Sequence, residues 1–297
     1  MESTGFNYEV LEFLVAFAFL LAFLIVLFLT VMTHFKPNIS RSDSEKYYLD
    51  PCKAQLKKPF PSLNDAATIV LTIVVPAYNE ENRLPLMLDD ALLYLEKRQR
   101  EEPLFTFEVI IVDDGSNDKT TKKALEYSEK YGTEKIRVLT LSKNRGKGGA
   151  VRMGMLSSRG KLLLFADADG ATKFAGIEKL EAELSKINTE EHNMAVVCGS
   201  RAHLEKNSIA ERSLFRTILM FGFHFLVWFL CVRGIRDTQC GFKLLTREAA
   251  RLLFYNLHVE RWAFDVDLLH IAQHFKIPVA EVAVNWQEVE GKLFFQY

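Results

Sequence analysis

From Thr68 onward, short β-rich runs alternate with stretches whose apolar residues recur at helical spacing. Few folds accept such a chain. Residues 69–75, 107–112, 136–141, 162–166 and 194–198 read as strands, and 279–286 as a later one. Residues 84–100, 117–131, 148–158 and 175–187 read as helices. In the first helix, Leu86, Leu88, Leu92, Leu93 and Leu95 are assigned to the apolar face. Ser116 or Asn117 is the expected N-cap of the second. Strand–helix alternation implies βαβ units, hence an α/β, Rossmann-like, mostly parallel sheet flanked by helices.

Ligands of open parallel sheets bind outside the carboxyl ends of the strands. Four polar loops fall at those ends: Pro76-Ala-Tyr78-Asn-Glu80-Glu81, Asp113-Asp114-Gly-Ser-Asn-Asp118, Asn144-Arg145-Gly-Lys147-Gly-Gly149 and Asp167-Ala-Asp169. Each alone also reads as a solvated turn, and Asp-Gly-Ser-Asn is strong turn chemistry. Together at one edge they make a site. Asp167 and Asp169 are hard oxygen ligands, suited to Mg²⁺ or Mn²⁺ shared with substrate phosphates. Asp113 and Asp114 can accept hydrogen bonds from a ribose or a base. Arg145 and Lys147, set among glycines, can place cations and backbone N–H groups near a diphosphate. The pattern of a P-loop, Gly-x-x-x-x-Gly-Lys-Ser/Thr, is absent. A nucleotide diphosphate with Mg²⁺ or Mn²⁺ suits the four loops.

These motifs, with Val74 and Val112 leading two of them, resemble family 2 glycosyltransferases of the GT-A fold over about residues 68–285. Asp167-Ala-Asp-Gly-Ala-Thr172 and Arg236-Asp-Thr-Gln-Cys-Gly-Phe-Lys243 resemble the branch that glucosylates dolichyl phosphate. The resemblance implies inverting transfer of glucose from UDP-glucose to that lipid at the endoplasmic reticulum. It implies that Pro76, Tyr78, Glu80, Asp113, Asp114, Arg145, Lys147 and Asp167 bind the nucleotide sugar, with Asp113 and Asp114 on uridine. It places Asp167 and Asp169 on the metal, Arg201 on the acceptor phosphate, and Asp237 near the reacting sugar. Asp237, Asp169 and Arg201 are thus the expected catalytic residues. The rivals are mannose transfer from GDP-mannose and a non-catalytic nucleotide-sugar- or lipid-binding protein. The first is disfavoured by Gly170-Ala171-Thr172, where dolichyl-phosphate mannose synthases carry Leu-Gln-His; the second by the intact Asp-x-Asp.

The acceptor that the resemblance implies is a lipid, and the sequence offers two apolar segments to meet a bilayer. Residues 10–33 are almost wholly apolar, and about 20 such residues span a membrane. They read as a transmembrane anchor, not a cleaved leader, because no basic stretch precedes them. Glu2 and Glu9 come before, and Lys36, Arg41 and Lys46 after, so residues 1–9 are expected in the lumen and the body in the cytosol. Residues 34–67 read as a juxtamembrane linker, 68–206 as the nucleotide-sugar-binding core and 207–297 as the acceptor and membrane-interface part. Within the last, 218–232 is apolar but short of a span. It reads as an interfacial helix flanked by arginines, or as an ordinary buried helix. Arg201 and Arg212 are the first choices for the acceptor phosphate, since arginine pairs with phosphate bidentately. Against relatives of this kind, the end at Tyr297 reads as a shortened C-terminus.

A net charge of -1, from 37 basic and 38 acidic residues, argues against binding a nucleic acid polymer. Cys52, Cys198, Cys231 and Cys240 show no Cys-x-x-Cys spacing and read as free thiols. His224, His258, His270 and His274 form no metal-ligand pattern.

Overall fold

Runs of Val, Ile and Leu, buried on both faces, build a seven-stranded sheet. The computed structural model describes residues 16, 17, 20, 23, 24, 27, 39–53, 56–188, 193–202 and 231–287. Two units separate, Met1–Asn38 and Ile39–Tyr297. In the second, β1 (Tyr47–Asp50) and β2 (Leu56–Pro59) form an antiparallel hairpin. The main sheet comprises β3 (Ile69–Ala77), β4 (Phe107–Asp113), β5 (Ile136–Thr140), β6 (Gly160–Ala166), β7 (Val196–Ser200), β8 (Phe242–Thr246) and β9 (Val279–Ala283). Their spatial order is β5-β4-β3-β6-β8-β7-β9. The helices are α1 (Leu84–Glu101), α2 (Thr120–Tyr131), α3 (Lys147–Met155), α4 (Ile177–Ile187), α5 (Arg247–Asn256) and α6 (Phe264–His274).

The period of two along β3 decides which helices cover which face. Ile73 and Val75 join Leu88 and Leu92 of α1 and Leu180 of α4 in one core. Val74 joins Val151 and Met153 of α3, Leu253 of α5 and Leu268 of α6 in the other. All strands of the main sheet run in one direction except β8, which lies antiparallel between β6 and β7. Phe242, which opens β8, therefore pairs with Ala166, which closes β6. That reversal brings the chain just before β8 to the edge where β3, β4 and β6 end. Pro76 sits within this central sheet without cost. The β3–β6 ladder ends at Val74 opposite Phe165, so its missing N–H is not needed there.

Several expectations are corrected. On α1 the buried face is Leu84, Met87, Leu88, Ala91, Leu92 and Leu95; Leu86 and Leu93 are 60% and 74% exposed. At about 100° per residue, positions 86 and 93 fall on the opposite side of the helix from that stripe, which composition alone does not reveal. Helix α2 begins at Thr120, not 117; neither Ser116 nor Asn117 caps it, and Asp118 accepts the Thr120 N–H at 2.9 Å. The stretch expected as a linker is folded from residue 39 onward. Arg247 of α5 donates to the carbonyls of Ser62 and Asp65, and the Leu63 N–H to the carbonyl of Leu156. The division at 206/207 does not separate two bodies, since β8 and β9 complete the sheet that β3–β7 begin.

Most of the anchor expected over 10–33 lies outside the described residues. Those described there (16, 17, 20, 23, 24 and 27) are helical, and Phe17, Leu20, Phe23, Leu24 and Leu27 are exposed. Among the described residues, no helix is long and apolar enough to cross a membrane. Residues 1–9, Arg212, most of 218–232 and the C-terminal stretch 288–297 also lie outside them. All four cysteines are free, with Cys198 and Cys240 buried.

Candidate active site

Asp113 closes β4, and Asp114 begins the loop after it. Asp113 turns its carboxylate inward, accepting from the Ser116 N–H at 3.0 Å and from the Thr121 hydroxyl. Asp114 accepts from the backbone N–H groups of Arg145 and Gly146 at 2.7 and 2.8 Å. Both are nearly fully buried. Burial pushes the Asp114 carboxyl up to about 6, against the pull of those two N–H groups. The pair expected on uridine thus also builds the loops. The first loop is zipped to this one: Asn79 donates its N–H to the Ser116 hydroxyl and accepts from the Asn117 N–H. Glu80 donates its N–H to the Thr120 hydroxyl. Asn79 takes a φ of 55°, the left-handed region that asparagine tolerates. Tyr78, 45% exposed, is open to solvent.

Asp167 and Asp169 follow β6. Lys147, at the start of α3, reaches Asp167 at 2.7 Å. Burial opposes its charge, but Asp167, Asp265 and Asp169 together hold its pKa above the usual lysine value. Asp169 accepts the Ala171 N–H at 3.0 Å. Glu80 is close to both aspartates. Burial raises its pKa to about 7, with Arg83 opposing and the two aspartates adding to the rise. Three carboxylates thus crowd one edge. Among the described residues no cluster of three or more side chains makes a complete metal site. Two carboxylates with substrate phosphates suffice for Mg²⁺ or Mn²⁺, and the ammonium already seated on Asp167 shows that this point attracts a cation.

The antiparallel entry to β8 supplies the rest. The Asp167 N–H donates to the carbonyl of Gly241. Asp237 is gripped by Arg201, from just past β7, through Nε at 2.8 Å, Nη2 at 2.9 Å and the backbone N–H at 2.8 Å. Burial would raise the Asp237 pKa, yet Arg201 holds it below the usual carboxylate value. Glu281 of β9 fixes this segment by accepting the N–H groups of Arg236 and Asp237. The Arg201 guanidinium lies 5.6 Å from the centre of the Trp286 ring. Asp167 also favours its charge, so the two halves of the site share one field.

Two placements differ from expectation. Arg145 is buried, with its guanidinium on Glu45 at 2.6 Å rather than turned out toward a diphosphate. Arg201 is engaged by Asp237 in this structure, so an acceptor phosphate would have to share it. A buried pair under the site, Lys243 on Asp265 and on the Cys240 carbonyl, was not read from the sequence as a pair. A lysine inside the otherwise apolar run Phe242–Leu245 is its only local signal. Asp267 accepts from the N–H groups of His258 and Val259, tying the loop before α6.

Residues 72–254 match the family described as Glycosyl transferase family 2. The chain belongs to that family. Among family 2 relatives, it is 64% identical over 255 residues to the dolichyl-phosphate beta-glucosyltransferase of Homo sapiens, covering 86% of this chain and 78% of that one. It is 59% identical to the Drosophila melanogaster enzyme of that name, with the same coverage, and 41% identical to that of Saccharomyces cerevisiae, covering 93% of this chain and 86% of that one. In structure it resembles glucosyl-3-phosphoglycerate synthase from Mycobacterium tuberculosis in complex with UDP, at a TM-score of 0.50 and 16% identity. That match covers 75% of this chain and 74% of the other, and it bears out the GT-A-like α/β fold.

Proposed function

We propose that the chain transfers glucose from UDP-glucose to dolichyl phosphate with inversion, giving dolichyl β-D-glucosyl phosphate. The observation that carries this reading is the shared edge at which Asp167, Asp169, Lys147 and the Arg201–Asp237 pair meet. The identity to dolichyl-phosphate beta-glucosyltransferases supports the choice of sugar and lipid. The site is read as working with Mg²⁺ or Mn²⁺ held by Asp167 and Asp169. The structural relative named above was also crystallised with Mn²⁺, UDP and glucosyl-3-phosphoglycerate.

A phosphate monoester has a second pKa near 6 and is largely dianionic at neutral pH. Its oxygen attacks the anomeric carbon while the bond from that carbon to UDP breaks, and UDP leaves with the electron pair. One displacement inverts the centre. A strong general base is unnecessary, because the nucleophile carries no proton to remove. Lys147 offsets charge developing on the leaving diphosphate. A divalent cation, when bound, adds Lewis acidity at the same point. Asp237, kept ionised by Arg201, faces positive character building on the sugar. Arg201 meets the incoming phosphate, and Arg212 is the second cation proposed for it. The anchor over 10–33, the endoplasmic reticulum membrane and a cytosol-facing catalytic part belong to this proposal, supported by the apolar run and its flanking charges.

The test is sugar transfer by membranes carrying this chain, given dolichyl phosphate and either UDP-glucose or GDP-mannose, with Mg²⁺ or EDTA. We expect transfer from UDP-glucose alone, lost in EDTA and in Asp169→Ala. Transfer from GDP-mannose instead, or undiminished turnover by Asp169→Ala, refutes the reading.

A further inference from the structure

The segment after residue 39 does more than lead into the core. Ser42 caps a 3-10 turn, Asp43–Lys46, and this turn drives Glu45 into the protein until none of it is exposed. There its carboxylate accepts from the Ser142 N–H and hydroxyl, both at 2.9 Å, from the Ser42 N–H at 3.1 Å, and from Arg145 Nη2 at 2.6 Å. Burial alone would raise the Glu45 pKa, and these donors bring it below the usual glutamate value. Arg41 adds a second tie, donating to the Met153 carbonyl and the Ser157 hydroxyl at the far end of α3, both at 3.0 Å.

Arg145 is what makes this contact functional. Its N–H is held by Asp114, and Lys147 two residues later reaches Asp167. Its stem packs on the first turn of α3, where a Cβ at Gly149 would stand 2.5 Å from the Arg145 Cβ. Among the described residues its buried Nε has no hydrogen-bond partner, and Glu45 is the carboxylate within ion-pair distance of its guanidinium. Remove that carboxylate and the buried guanidinium loses its ion pair. It must then move toward water, and the loop that carries Lys147 moves with it.

We propose that Glu45 is a positioning residue for nucleotide-sugar binding: through Arg145 it sets the loop that places Lys147 against the diphosphate. The inference rests on the nucleotide-sugar reading given above. It also makes the segment following the N-terminal apolar run a working part of the donor site.

The experiment compares wild type, Glu45→Gln, Glu45→Asp and Lys58→Met as full chains in membranes. The last breaks the Lys58–Asp50 pair of the β1–β2 hairpin, away from the loop. Two readouts are taken: KM for UDP-glucose and for dolichyl phosphate, and amide hydrogen exchange across residues 142–149. A displacement of about 1 Å at a binding group costs up to 10²-fold, so we expect Glu45→Gln to raise KM for UDP-glucose by about tenfold or more. KM for dolichyl phosphate should stay within about twofold by the same geometric reasoning. Exchange should quicken at Arg145 and Gly146. Glu45→Asp keeps the charge with shorter reach; it should fold and show a smaller rise. Lys58→Met should leave both KM values unchanged. An unchanged KM for UDP-glucose in folded Glu45→Gln and Glu45→Asp overturns the proposal, as does a rise in Lys58→Met of the same size. If wild type transfers no glucose, the functional reading fails, and exchange alone decides the coupling: unchanged protection at Arg145 and Gly146 overturns it.

Discussion

Gly241 lacks a side chain because the Asp167 carboxylate fills the space one would take. A Cβ there would lie 2.0 Å from Asp167 Oδ2, 2.4 Å from Oδ1 and 2.2 Å from Cγ. Ordinary contact begins at 3.4 Å, so Gly241→Ala must drive the carboxylate away. The backbone cannot yield instead, because the Asp167 N–H is bound to the Gly241 carbonyl and Phe242 pairs with Ala166 in the ladder. The Asp167 side chain must therefore leave its rotamer, at a cost of about 1 kcal/mol to folding. The loss at the site is larger. A catalytic group moved by about 1 Å costs up to 10²-fold in rate. We expect kcat/KM for UDP-glucose to fall about 30- to 100-fold, or about 2–3 kcal/mol of transition-state stabilisation. Dolichyl phosphate transfer assayed beside a thermal melt separates the two effects. A folded Gly241→Ala protein with kcat/KM within about twofold of wild type would show that Asp167 is not held where the chemistry needs it.

Gly154 makes the matching case in the core. A Cβ there would stand 2.4 Å from Val74 Cγ1 and 2.8 Å from Val112 Cγ2, and both valines sit in strands that cannot retreat. Gly154→Ala should cost about 1–3 kcal/mol in urea unfolding with KM unchanged, and wild-type stability would refute this packing. Asp114 sets a pH dependence. Burial holds its folded pKa at about 6, above the ordinary aspartate value of 3.8, so between those limits the folded chain binds the extra proton. This group's contribution to stability therefore increases as pH falls from 6 toward 3.8, and Asp114→Asn should flatten the stability curve there. An Asp114→Asn curve that parallels wild type through that range would place the perturbed carboxyl elsewhere.

The sequence alone determined the parallel strands of the sheet and the edge at which it works, but not β8. Strand-forming runs separated by helical ones point to parallel pairing through crossovers, and that topology places 76–81, 113–118, 144–149 and 167–169 at one side. Local pattern suffices because each element must bury its own apolar residues. It failed where an apolar residue stays outside, as at Leu86 and Leu93, since an exposed leucine leaves no mark on composition. It also failed where charges are buried in pairs drawn from distant segments. Glu45 finds Arg145, Lys243 finds Asp265, and Arg201 finds Asp237. A buried charge needs a partner, but spacing along the chain does not say which. Only the tertiary structure decided those partners. Its reversed strand, β8, brings Asp237 and Gly241 back to Asp167 across about 70 residues of chain, a meeting that follows from antiparallel pairing with β6 rather than from any local motif.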